Sequence, residues 1–82
     1  MSVPFSMEWR IITGGKEKRI SESDNLFEIE FDGYKLFPID QPIDVMRFES
    51  SDQIGTAKVV KITLTDHRTI CTYQLISLYN IN

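Results

Sequence analysis

The sequence predicts an all-β fold, a small and strongly bent antiparallel barrel of six or seven short strands. Three observations carry that expectation. Apolar residues recur at a spacing of 2 and not 3.6. Val, Ile, Thr, Phe and Tyr crowd the alternating stretches, as pleated surfaces favour. No amphipathic helical pattern persists beyond about two turns. Closing the sheet suits a short chain, because a closed barrel leaves no strand edge to recruit a neighbour.

Phe5, Met7, Trp9 and Ile11 alternate with Ser6, Glu8 and Arg10, which reads as a half-buried first strand. Gly14 and Gly15 supply a turn, since glycine reaches positive φ without steric penalty. Residues 16–20 read as a short returning strand, and the polar run 21–25 as a loop. Leu26 to Asp32 then alternates cleanly, followed by Gly33 and Tyr-Lys-Leu-Phe-Pro. Asp-Gly is a type I′ hairpin signal, so Asp32-Gly33 is expected to pair Phe31 with Tyr34 and Ile29 with Leu36. The same register sets Glu30 opposite Lys35, a favourable cross-strand pair, and leaves Phe37 on the outward face.

Residues 38–42 hold two prolines, which remove two ladder donors, so this stretch reads as a corner and not a central strand. Ile43, Val45 and Arg47 alternate with Asp44, Met46 and Phe48 in a further strand whose buried face is open from sequence. Residues 49–53 read as a polar loop, and Gly55 as a bulge or a close backbone approach. A long hairpin fills the last third. Val60, Ile62 and Leu64 share a face with Cys71, Tyr73 and Leu75 across a turn at residues 66–69. Alternation breaks at residues 75–79, which predicts a bulge or burial on both faces there.

The chain has 82 residues, room for one domain spanning 1–82. Its hydrophobic share of 41% is too high for disorder, and its apolar runs are short pairs such as Ile11-Ile12. The first ten residues have neither the basic start nor the apolar stretch of a secretory signal. Cys71 is the only cysteine, which excludes a disulfide framework. The expected location is the cytoplasm. A net charge of −3 argues against binding through nucleic-acid phosphates in bulk. The one basic concentration is Lys16, Lys18 and Arg19, with Arg10 nearby; its plainer role is a solvated edge that deters strand pairing.

Chemical motifs are scarce. One His and one Cys do not make a metal site, and Cys71 is expected to face the core, away from a nucleophilic pairing with His67. Gly14-Gly15 lacks the Lys-Ser/Thr continuation of a phosphate loop. Asp40, Asp44, Glu49 and Asp52 cluster in sequence at a spacing that matches no cation loop. Trp9 with Phe5 and Met7 reads first as core and second as a stacking platform.

The stretches Gly-Lys-Glu-Lys-Arg-Ile from Gly15, Gly-Tyr-Lys-Leu-Phe-Pro-Ile from Gly33, Ser-Asp-Gln-Ile-Gly-Thr-Ala from Ser51 and Thr-Tyr-Gln-Leu-Ile-Ser-Leu from Thr72 span nearly the whole chain. Together they resemble the signature segments of a small family in Bacillus-type bacteria catalogued as a domain of unknown function. That resemblance implies a cytosolic all-β barrel, similar at fold level to the PUA-like barrels of RNA-associated proteins, and transfers no active site.

Two functional classes follow. The first is a non-catalytic interaction module, without cofactor or metal, that meets a protein partner or a second copy of itself. Apolar residues such as Phe37 and Phe48 would serve it. The second is an RNA- or nucleotide-associated barrel using Arg10, Lys16, Lys18 and Arg19 with Trp9 or Phe5. A small enzyme built on the acidic loop ranks last. No membrane association is expected.

Overall fold

The structure is a computed structural model that describes residues 5–48 and 53–78. It is all-β, with eight strands: β1 (Phe5–Met7), β2 (Arg10–Ile12), β3 (Lys18–Ser21), β4 (Leu26–Asp32), β5 (Tyr34–Leu36), β6 (Pro42–Met46), β7 (Gln53–Thr65) and β8 (Arg68–Leu78). Six of them form one sheet in the order β2-β6-β7-β8-β4-β3, and β1 and β5 make a separate pair.

The spine is the β7–β8 hairpin. Its turn is Asp66-His67, both at positive φ (49° and 62°), the backbone that a two-residue hairpin requires. Thr65 therefore faces Arg68 and Ile62 faces Cys71, which puts Cys71 and Tyr73 in the core as the alternation implied. Two bulges interrupt the ladder. One lies at Val60, between Val59 and Lys61, and turns Val59 fully inward while Val60 stays exposed. The other lies opposite Thr56 and Ala57 and leaves Ile76 exposed, at the point where alternation fails. Gly55 is a close approach: an added Cβ would collide with the Ser77 carbonyl oxygen.

The sheet curls into a half-barrel, and the chain itself shows why. Its edges, β2 and β3, are consecutive in sequence, six residues apart from Ile12 to Lys18. That span covers about 20 Å at full extension, whereas five flat strand spacings need about 24 Å. The connection is not even extended. Gly14 and Gly15 take positive φ, and the Lys16 N–H donates back to the Thr13 carbonyl at 3.0 Å. The two edges must therefore approach each other. Inside the curl lie Ile11, Ile29, Phe37, Ile43, Val45, Ala57, Val59, Cys71 and Tyr73.

The expected antiparallel barrel is corrected in three ways. Two pairings are parallel, β1 with β5 and β2 with β6. The strands number eight, because the first expected strand breaks at Glu8-Trp9 into β1 and β2. The segment after Gly14-Gly15 does not return onto β2 but pairs with β4.

The Asp32-Gly33 hairpin is also overturned. Gly33 has φ 79°, but Asp32 is not among the residues at positive φ, so no type I′ turn forms. All seven residues of β4 pair with β8 instead, more pairs than a three-residue β5 offers. Glu30 meets Arg68 at 2.6 Å, and Lys35 meets Glu8 at 3.5 Å. The chain after Gly33 then dives under the sheet. Phe37 is buried, with its ring 5.6 Å from that of Phe31. The outward position expected for it is wrong, because its register depended on the hairpin.

The proline segment is a corner. Asp40 sits at φ 62°, its N–H donates to the Val59 carbonyl at 2.9 Å, and Pro42 opens β6. In β6 the buried face is Ile43 and Val45. The loop expected at residues 49–53 falls mostly outside the described residues; only Gln53 is described, as the start of β7.

Candidate functional site

Three places in the fold gather chemistry. The first is an open cleft of about 590 Å³ between the two sheet edges. β3 covers β4 only as far as Glu28, opposite Lys18, so the β4 edge beyond it lies open and forms one wall. Lys16 and Lys18 line the cleft with Arg47 and Arg68, and Phe48, more than half exposed, sits at its side. Glu28, Glu30 and Asp32 line it too. With Arg68 held by Glu30, the local balance is three cations against two carboxylates, a weak field for a phosphate chain.

The second place is a smaller open pocket of about 270 Å³ at the side of the curl, lined by Phe27, Val45, Ile54, Tyr73, Leu75 and the exposed Leu78. Glu17, Arg19 and Arg47 reach it. Strand alternation explains Arg19: it pairs with Phe27 in register, and its guanidinium lies 4.6 Å over that ring. Phe27 in turn stacks on Tyr73 at 5.6 Å. The carboxylate oxygen Glu17 Oε2 is buried and meets no hydrogen-bond donor among the described residues. Tyr73 is held neutral to well above the ordinary phenol range, mainly by burial and then by the charge of Glu17 and of Cys71. Burial alone pushes the Cys71 thiol up to about 12.

The third place is the outer rim. Phe5, Met7 and Trp9 were expected to share the core face with Ile11. Only Ile11 is buried; the other three are 55%, 51% and 67% exposed. Strand β1, which carries Phe5 and Met7 but not Trp9, is seated by β5, which hangs from β8. The Thr69 hydroxyl accepts from the Lys35 N–H at 2.8 Å and donates to the Gly33 carbonyl at 2.8 Å. Phe5, Tyr34 and His67 then stack in series, at 5.6 Å and 5.8 Å.

The six residues singled out from sequence therefore scatter. Lys16 and Lys18 share the cleft, Arg19 lines the smaller pocket, and Trp9 sits on the rim. Arg10 is exposed on edge strand β2, with one guanidinium nitrogen 3.7 Å from the Met46 sulfur. Phe37 is core and leaves the candidate set. Sequence reasoning missed Glu17, Arg47 and Arg68 as site residues, since only the curl brings positions so far apart together. Alternation with Arg19 was the one local sign that Glu17 faces inward. Of the acidic group, Asp40 and Asp44 are exposed, and Glu49 and Asp52 fall outside the described residues. His67 lies at the hairpin tip and Cys71 in the core. Among the described residues no three His, Cys, Asp or Glu side chains converge as a metal site would require, and no helix is long and apolar enough to cross a membrane.

Such a fold, a curled six-stranded sheet with a separate two-stranded pair, defines a small all-β domain. A family model described as "Domain of unknown function (DUF2584)" matches residues 1–82, and the chain belongs to that family. It is 42% identical over 82 residues to "Uncharacterized protein YtmB" of Bacillus subtilis (strain 168), with 100% of both chains covered. An X-ray crystal structure of protein ytmB from Bacillus subtilis matches it with a TM-score of 0.92 at 41% identity, covering 100% of this chain and 99% of that one.

Proposed function

We propose that this domain is a non-catalytic binding module of the cytoplasm, whose contact surface is the Phe5–Met7–Trp9 stripe and whose occupant is a second copy of the chain. One observation carries the reading: three large apolar side chains, spaced like a core face, are each more than half exposed. At about 150–250 Å² for a fully buried large side chain, the three offer on the order of 350 Å². That is the size of the largest patch on an ordinary monomer, which is often functional. Two such stripes in contact bury about 700 Å², the class of a weak and reversible dimer. Tryptophan at the exposed end is the residue type that most often anchors such contacts. The high pKa of the Cys71 thiol supports the non-catalytic part, since a nucleophile needs the thiolate.

The nucleic-acid reading has less support. It needs Arg10, Lys16, Lys18 and Arg19 on one face beside an exposed ring, and only two of them share the cleft with Phe48. Three carboxylates stand in that same cleft.

Light scattering behind size-exclusion chromatography, at low and moderate salt, tests the proposal. A concentration-dependent dimer is expected. It should persist at moderate salt because its contact is apolar, and Trp9→Ser should weaken it about tenfold with circular dichroism unchanged. A monomer up to roughly millimolar concentration, or a dimer indifferent to Trp9→Ser, overturns the reading.

A further inference from the structure

We propose that two copies of the chain join through the free edge of β1, pairing antiparallel about a two-fold axis at Ser6, so that the two β1–β5 pairs become one four-stranded sheet. This pairing is the internal structure of the rim contact proposed above and rests on that reading. β1 lies parallel to β5, with Phe5 beside Tyr34 and Met7 beside Leu36. The Glu8 N–H donates to the Leu36 carbonyl at 2.8 Å, whereas the Lys35 N–H turns the other way, to the Thr69 hydroxyl. Successive residues of a strand offer their N–H and C=O to opposite sides. Tyr34 and Leu36 therefore face β1, and Ser6 and Glu8 face β5. The N–H and C=O of Phe5 and Met7 are left on the open edge, where no described strand meets them.

Such edges are ordinarily guarded by charge, by proline or by a bulge, because unpaired backbone groups recruit another strand. The outer strands of the main sheet carry such charges, Arg10 on β2 and Lys18 and Arg19 on β3. β1 reads Phe-Ser-Met, with all three side chains exposed. A second copy is the occupant because the segment is self-complementary. Turned about an axis at Ser6, it sets Phe5 of one copy opposite Met7 of the other, and the reverse. Each of those pairs exchanges both of its main-chain bonds. The side chains agree with the backbone. Phe5 already stacks on Tyr34 at 5.6 Å, and Tyr34 on His67 at 5.8 Å. The pairing continues that row across the axis, with the Met7 thioether of one copy against the Phe5 ring of the other, a favourable sulfur–aromatic contact. The paired segment is only 3 residues long, which suits the weak and reversible dimer that the apolar area supports.

Cysteine cross-linking of the full chain tests the pairing. At the axis the two Ser6 residues form a non-hydrogen-bonded pair, about 4.5 Å apart at Cα, within the span that a disulfide bridges. Ser6 is exposed, and Cys71 is fully buried and does not compete. Ser6→Cys should therefore give a covalent dimer under mild oxidation, with circular dichroism unchanged. Glu8→Cys is the control, since its two copies stand offset by four residues, about 13 Å along the strands. A second pair of variants reads the backbone. Met7→Ala and Met7→Pro both lack the thioether, but proline also removes an edge N–H that the monomer leaves unpaired, and such an edge tolerates it. Met7→Pro should weaken the dimer at least about tenfold more than Met7→Ala in light scattering. A dimer in which Ser6→Cys cross-links no faster than Glu8→Cys overturns the pairing and leaves the rim contact standing. Equal weakening by folded Met7→Pro and Met7→Ala does the same. If Met7→Pro does not fold, the cross-link decides. A monomer up to roughly millimolar concentration overturns the pairing and the rim contact together.

Discussion

Thr69 offers the sharpest test of how the rim is seated. Its side chain is fully buried, and its hydroxyl makes two bonds of 2.8 Å, one from the Lys35 N–H and one to the Gly33 carbonyl. Those two backbone groups flank the turn that sends the chain from β4 to β5, and β5 alone carries β1 with Phe5 and Met7. Thr69→Val keeps the shape and deletes both bonds. Each bond contributes about 1 kcal/mol net, and stranding a backbone partner adds a further cost of about 1–3 kcal/mol when water is fully excluded. Both partners are only part-buried, so the total is about 2–4 kcal/mol. At about 4–8 °C per kcal/mol for a domain of this size, Tm falls by at least about 8 °C. Thr69→Ser is the control. It keeps the hydroxyl and loses one buried methyl, at a cost of about 1 kcal/mol. Urea unfolding of the three proteins, followed by circular dichroism, should rank them wild type, serine, valine. The reverse order of the two variants, with valine the more stable, would mean that Thr69 is a packing residue and that its hydroxyl does not seat the rim.

Gly55→Ala forces a methyl against the Ser77 carbonyl oxygen and to 3.4 Å from Leu78 Cα, at the seam where β7 pairs on both sides. Neither neighbour is a flexible side chain, so a loss of about 1–3 kcal/mol is expected in denaturant unfolding. Stability should also fall in alkali. Cys71, whose ordinary pKa of 9.0 is raised to about 12, is neutral in the fold where the unfolded chain would ionise. Its contribution is fully present below pH 9.0 and is lost as pH rises toward about 12. The slope is about 1.4 kcal/mol per pH unit, and Tyr73 adds to it in the same direction at higher pH. Cys71→Ala should flatten the first part of that decline in pH-dependent unfolding, and an unchanged profile would refute the assignment.

What the sequence determined by itself was what depends on a few neighbouring residues. Strand content followed from the spacing of 2, the corner from Pro38 and Pro42, and the burial of Cys71 and Tyr73 from alternation. The close approach at Gly55 and the failure of alternation near Ile76 were legible for the same reason. The tertiary structure decided everything that turned on competition between distant partners. Asp32-Gly33 carries a hairpin signal, yet β8 offers β4 seven paired residues and Arg68 offers Glu30 a countercharge, and the local preference loses. Phe37 went inward as a result. Phe5, Met7 and Trp9 have a core pattern and no core, because the expected strand breaks at Glu8-Trp9: β1 with Phe5 and Met7 pairs with β5 outside the main sheet, and Trp9 lies between β1 and β2. The pocket lined by both Glu17 and Arg47 depends on a sheet curled until its two edges approach. Periodicity reports which residues want burial; which of them obtain it is settled by strands far away in the chain.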